Sequence, residues 1–252
     1  MTRTLNLNAD LGESFGAWTM GSDAALLAIV DSANIACGFH AGDPLVMRRT
    51  LQQAKAAGTG IGAHVAFPDL QGFGRRPMTI QPDELEAIVL YQIAALDGMA
   101  RTEGLALRHV KPHGALSNMA CADAALARTV ARAIKAYNPA LILLAPALSE
   151  LYKAGEAAGL PVVAEIFADR AYLDDGNLVP RSRPDAMIHG AAAALAHVAA
   201  MLDEQALISV SGKRLPTPIG SICVHGDGPD AVATARHLRD ELLRRGYRPA
   251  PL

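Results

Sequence analysis

The sequence predicts an α/β fold: a closed or nearly closed parallel barrel of seven (β/α) units, TIM-barrel-like in plan. Three observations predict it. Seven short strand-like runs alternate with Ala/Leu-rich helical stretches, which favours a parallel sheet. None of the seven is an obvious edge strand, which favours closure. Polar residues recur with period two on one face of several runs and collect where those runs end, the end at which βα barrels build their sites.

The runs, in order, are LNLNAD (5–10), ANIACGFH (33–40), GIGAHV (60–65), LALRHVKPH (105–113), ALILLAP (140–146), PVVAEIFAD (161–169) and SICVHGD (221–227). Helical stretches lie between and after them at 44–57, 82–100, 122–136, 190–204 and 229–245. With no linker, low-complexity tract or repeat, residues 1–252 read as one (β/α)7-type barrel domain.

In the first run Leu5, Leu7 and Ala9 take one face and Asn6, Asn8 and Asp10 the other. The second run ends on His40, and Asp43-Pro44 then makes a good helix start, an N-cap followed by proline at the first helical position. The third run contributes His64. In the fourth, His109, Lys111 and His113 share a face; the His-x3-His spacing would suit a metal on a helix, but Pro112 and the strand pattern argue against a helix there. The fifth run contributes nothing polar. Glu165 and Asp169 share a face in the sixth, and His225 and Asp227 in the seventh. Barrel interiors are usually filled by branched apolar side chains, so polar groups aimed at the axis must pair or bind something.

Composition narrows the function. The chain carries net charge −2, without the basic field of a nucleic-acid binder. No apolar run approaches the roughly 18 residues of a membrane span. MTRTLNLNADLG lacks the apolar stretch of a signal peptide, and three scattered cysteines, Cys37, Cys121 and Cys223, fit a reducing cytoplasm.

The candidate site residues each have a plainer alternative. Lys111 is an electrostatic anchor or proton donor, or half of a Lys–acid pair inside the barrel. Arg75 and Arg76, in GFGRR (72–76), suit a carboxylate or phosphate, or belong to a solvated loop. Asp169 and Arg170 in FADRAY (167–172) and Arg181 in VPR (179–181) add charges that are weak signals singly. Asp10 and Glu13, in DLGESFG (10–16), are candidate general bases; Asp227 is a ligand group or a helix-start residue. No HExxH, GxSxG or Walker A motif is present, and SVSGKRLP (209–216) reads as a hairpin.

The segments NADLGESFG, SANIACGFHAGDP, GAHVAFPDLQGFGRR, HVKPHGAL, EIFADRAY, LVPR and ICVHGD, in this order, resemble the LamB/YcsF family over nearly the whole chain. The resemblance implies a (β/α)7-type barrel related to glycoside hydrolase and metal-dependent carbohydrate deacetylase barrels. It implies ATP-dependent opening of the lactam 5-oxo-L-proline to L-glutamate, as the A component of a 5-oxoprolinase with B and C subunits. The chain departs from the family pattern at Ala9 (usually Cys), Val65-Ala66 (usually Pro-Gly) and Ser117 (usually Tyr), and the last two bear on which lactam is accepted.

On this reading Arg75, Arg76 and Lys111 hold anions, Asp10 or Glu13 is the base, and His40, His64, His113 and His225 carry or position protons. Asp169, Arg170, Arg181, His225 and Asp227 bind substrate or phosphate. ATP is the expected cofactor; whether a divalent metal takes part is left open. One alternative is a stand-alone metal-dependent amide hydrolase or deacetylase, with Asp10, His40 and His64 around an ion. Another is a non-catalytic, substrate-binding subunit.

Overall fold

A computed structural model describes residues 3–226 and 230–252. In chain order it contains β1 (Arg3–Leu11), α1 (Asp23–Leu27), β2 (Ser32–Ala36), α2 (Pro44–Ala57), β3 (Gly60–Val65) and α3 (Pro82–Thr102). Then come β4 (Leu107–Pro112), α4 (Gly114–Ala122), α5 (Ala124–Tyr137), β5 (Ile142–Pro146), α6 (Glu150–Ala158) and β6 (Val162–Phe167). The last third holds α7 (Ala191–Glu204), β7 (Ala206–Ile208), β8 (Arg214–Pro216), β9 (Ser221–Val224), α8 (Ala231–Arg244) and β10 (Tyr247–Pro249).

Seven parallel strands close the barrel in the order β1-β2-β3-β4-β5-β6-β9, and β9 pairs back onto β1. All seven expected strands are present. β10 adds a short parallel extension to the first residues of β1, Arg3 opposite Tyr247. β7 and β8 form a hairpin outside the barrel, whose first strand, 206–208, precedes the expected 209–216 segment.

Three local readings need correction. β2 stops at Ala36 rather than His40, because Gly38 and Gly42, with φ of 94° and 80°, turn the chain out of the sheet. His40 therefore sits in a loop. His113 is likewise not a strand residue but the N-cap of α4, and Gly114 begins the helix. Short α1, α4 and α6 were not expected. α6 starts where Ser149 accepts a hydrogen bond from the Tyr152 N–H and ends on Gly159, left-handed at φ 75°.

The two faces of β1 separate as their parity predicts. Leu5, Leu7 and Ala9 join the apolar layer between barrel and helices. Asn6, Asn8 and Asp10 point into the barrel, where Asn6 bonds Ser32 and Ser221, and Asn8 bonds Glu165 and Ser221. Asn34 of β2 donates to both Asn8 and Asp10. The interior is thus a connected polar network that offsets much of the cost of burying so many polar groups, while Glu165 Oε2 and His109 Nδ1 are left without a hydrogen-bond partner. Gln92 of α3 ties the loop after β3 in place, bonding both backbone groups of Ala66.

Two glycines test this packing. A Cβ at Gly62 of β3 would overlap the His109 imidazole, whereas one at Gly98 of α3 meets nothing within 4 Å. Gly62→Ala is expected to destabilise the fold by about 1–3 kcal/mol through overpacking, and Gly98→Ala to stabilise it by about 0.5–1 kcal/mol. Urea unfolding followed by circular dichroism reads both.

Candidate active site

The C-terminal ends of the barrel strands converge on one cavity of about 540 Å³. Lys111 of β4 lies at its base and is only 4% exposed. Its Nζ is 2.9 Å from Asp10 Oδ1, 3.1 Å from Glu165 Oε1 and 3.0 Å from Cys223 Sγ. Burial pushes its pKa down, but the carboxylates outweigh burial and hold the ammonium well above the usual lysine range. Burial likewise pushes Asp10 up, yet His64 and Lys111 beside it hold its carboxyl well below the ordinary value. Glu165 is raised, because burial and the nearby Asp10 exceed the help from Lys111.

Four side chains form a second group beside Asp10. His40 Nε2 donates to Glu13 Oε1 at 3.0 Å. His64, on β3, donates from Nδ1 to the Lys111 carbonyl at 2.9 Å. His113 donates from Nε2 to the Phe73 carbonyl at 2.8 Å, and its Nδ1 faces His64 Nε2 at 2.9 Å. His40 and His113 stack with ring centroids 3.9 Å apart. Burial holds both of these rings well below the ordinary histidine pKa, so they are neutral near pH 7.

The glycines of two motifs make these approaches possible. A Cβ on Gly74, already left-handed at φ 65°, would crowd the His113 ring and the His40 Cβ at 2.8 and 2.9 Å. One on Gly42 would meet the Ala36 and Gly12 carbonyl oxygens at 2.8 and 2.9 Å. Asp43 is structural: it caps α2 through the Leu45 and Val46 N–H groups and also accepts from Gly16.

On the opposite wall His225 Nδ1 is 2.7 Å from Asp169. Burial lowers the His225 pKa, but the Asp169 carboxylate more than offsets it, and the net shift is upward. Arg75, Arg170 and Arg181 line the cavity with His225. Arg170 also donates to the Val179 and Ala186 carbonyls, and so braces the loop that carries Arg181. Arg76 is not brought to the cavity; its guanidinium is paired with Asp69, which closes the GFGRR turn. Asp227 lies outside the described residues.

The network also recruits residues that the sequence reading did not place in the site. Asn34 holds Asp10 in position, His109 bonds Asn34 at 2.7 Å, and Glu165 and Cys223 flank Lys111. Burial drives the His109 pKa to about 3, which makes it a neutral spacer. Glu165 and His109 carried the period-two signal; Asn34 carried it too, lying between Ala33 and Ile35. Cys223 resembled any core cysteine.

The chain is thus a closed parallel (β/α) barrel whose strand ends carry buried carboxylates, imidazoles and a lysine. Within that class the chain belongs to the LamB/YcsF family, whose model matches residues 5–252. A relative from Azoarcus sp. (strain BH72), named as the A component of 5-oxoprolinase, is 62% identical over 96% of this chain and 95% of its own. The crystal structure of a lactam utilization protein from Thermus thermophilus superposes with a TM-score of 0.92 at 42% identity, covering 99% of this chain and 100% of that one. The catalytic domain of a peptidoglycan N-acetylglucosamine deacetylase from Eubacterium rectale shares the fold alone, with TM-score 0.54 and 9% identity over 100% of this chain and 89% of that one.

Two outcomes follow from the charges. Lys111→Met leaves Asp10 and Glu165 buried without their counter-charge, and is expected to cost about 3–5 kcal/mol of stability in chemical denaturation. The His225 imidazolium is stabilised by Asp169, so its contribution to stability is complete below the unfolded pKa of 6.5 and is lost as pH rises through the higher folded value. Asp169→Asn should lower the His225 pKa, which histidine NMR titration measures directly.

Proposed function

We propose that this chain is the A component of an ATP-dependent 5-oxoprolinase, opening 5-oxo-L-proline to L-glutamate in the cytoplasm together with B and C partner subunits. The observation that carries the reading is the cavity itself. It places a buried ammonium, three guanidiniums and an acid–base pair around a space that fits a small anionic lactam. The names of the full-length relatives favour the same substrate class. Among the described residues no helix is long and apolar enough to cross a membrane.

A five-membered lactam is an unactivated amide that re-closes readily, and ATP supplies the drive by phosphorylating the amide oxygen. Arg75, Arg170 and Arg181 take the substrate carboxylate and phosphate oxygens, since guanidinium forks match both. Lys111 faces the oxygen on which negative charge develops, in a site too buried for water to screen it. Asp10 lines the cavity and Glu13 does not, so Asp10 is the carboxylate that orients water toward the carbonyl carbon. His225, held protonated by Asp169, gives its proton to the ring nitrogen as the C–N bond breaks, and a second water hydrolyses the resulting acyl phosphate to the glutamate carboxylate and inorganic phosphate.

The test is glutamate release from 5-oxo-L-proline by the purified chain, with and without ATP and with and without the B and C subunits. ATP-dependent glutamate from the complete set is expected. No glutamate from any combination, with partners shown to be competent, overturns the assignment. Within the active set, His225→Asn is expected to lower kcat by about 10²–10⁴-fold, and Arg181→Ala to raise KM more than it lowers kcat.

A further inference from the structure

We infer that Glu13, His64 and His113 form a binding site for a divalent transition-metal cation, with His40 holding Glu13 in place. The inference concerns binding by this chain alone and does not rest on the lactam reading.

The argument begins with the imidazole protons. A backbone carbonyl only accepts hydrogen bonds. His64 Nδ1 is 2.9 Å from the Lys111 carbonyl, so Nδ1 carries a proton, and in the neutral ring Nε2 is the nitrogen with the bare lone pair. His113 Nε2 is 2.8 Å from the Phe73 carbonyl, so its proton is on Nε2 and Nδ1 is bare. These two bare nitrogens face each other at 2.9 Å. Two opposed lone pairs at that distance repel, a positive centre between them relieves the repulsion, and Asp10 Oδ2, 3.3 Å from His64 Nε2, adds negative charge to the same space.

The third donor has matching geometry. Glu13 Oε1 is 3.6 Å from His113 Nδ1 and 3.9 Å from His64 Nε2. Tetrahedral bonds of about 2.0–2.2 Å place donor atoms about 3.4 Å apart. The three observed separations of 2.9, 3.6 and 3.9 Å bracket that edge. The surroundings also follow the pattern of metal sites, in which a ligating imidazole gives its other N–H to a carbonyl and a ligating carboxylate is itself hydrogen-bonded. His40 makes that last bond, from Nε2 to Glu13 Oε1 at 3.0 Å.

Two imidazoles and a carboxylate suit zinc, iron or nickel better than calcium or magnesium. Both histidines line the cavity, so the side without a protein ligand faces the substrate space. A cation held there acts as a Lewis acid or lowers the pKa of bound water.

Two other arrangements fit less well. In the trio Asp10, His40 and His64 read from the sequence, Asp10 Oδ2 lies 3.3 Å from His64 Nε2, but Asp10 is held by Asn34 and the Lys111 ammonium through Oδ1, and His40 and His64 converge with Glu13 and His113 instead. Asp10, Cys223 and His225 also converge, but the Lys111 ammonium lies 2.9 Å from Asp10 and 3.0 Å from Cys223 and repels a cation.

The test uses the full chain, stripped with a chelator, dialysed and titrated with Zn²⁺. Calorimetry gives stoichiometry and affinity; ¹⁵N NMR of labelled histidines shows which nitrogens respond. One Zn²⁺ per chain is expected, with shifts at His64 Nε2 and His113 Nδ1 and none at the exposed His189 and His237. Glu13→Gln and His113→Ala should each weaken binding by at least about 10-fold. If either variant fails to fold, the wild-type NMR pattern decides by itself. The inference is overturned by the absence of binding heat and ring shifts, by shifts confined to His189 and His237, or by affinity unchanged in both folded variants. It also fails if His64 and His113 share a proton that Zn²⁺ does not displace.

Discussion

The site depends on one buried ionic arrangement: the Lys111 ammonium between the carboxylates of Asp10 and Glu165. In the low dielectric of a barrel interior an unpaired charge costs far more than a paired one gains, so the three groups stand or fall together. The arrangement joins β1, β4 and β6 across the axis. Asn8 and Asn34 extend it by donating to Glu165 and Asp10. A polar interior of this kind ties the strands in register through directional bonds, where a more typical barrel relies on branched apolar packing.

Around this centre the backbone sets the chemistry of the histidines. Two carbonyls, those of Lys111 and Phe73, decide which nitrogen of His64 and of His113 keeps its proton. Gly74 and Gly42 lack the Cβ that would keep the loops away from these rings. Asp43 anchors the loop that carries His40 by capping α2 and holding Gly16. Backbone carbonyls and loop residues therefore govern tautomer and spacing at His64 and His113, which line the cavity.

The cavity has two electrostatic halves. On one wall burial keeps His40 and His113 neutral; on the other Asp169 keeps His225 inclined to its charged form. Neutral imidazoles offer lone pairs and a protonated one offers a proton. The same residue type thus serves two purposes at positions a few strands apart.

The barrel itself was legible in the sequence. Seven strand-like runs, several with period-two polarity, turn one face of those strands inward, and seven parallel strands without an edge close on themselves. Asn6, Asn8, Asp10, His64, Lys111 and Glu165 could be placed inside by parity alone, because side-chain direction on a strand is a local property. The loops were less legible. Arg76 read as a site residue because GFGRR shows two adjacent guanidiniums, and only folding brings Asp69 against one of them. His40 and Glu13 are 27 residues apart, and nothing in either segment specifies that they meet. Which nitrogen of each histidine carries the proton, and which carboxylate serves Lys111 rather than a histidine, follows from distances of a few ångströms. Closure of the barrel sets those distances, and local sequence cannot.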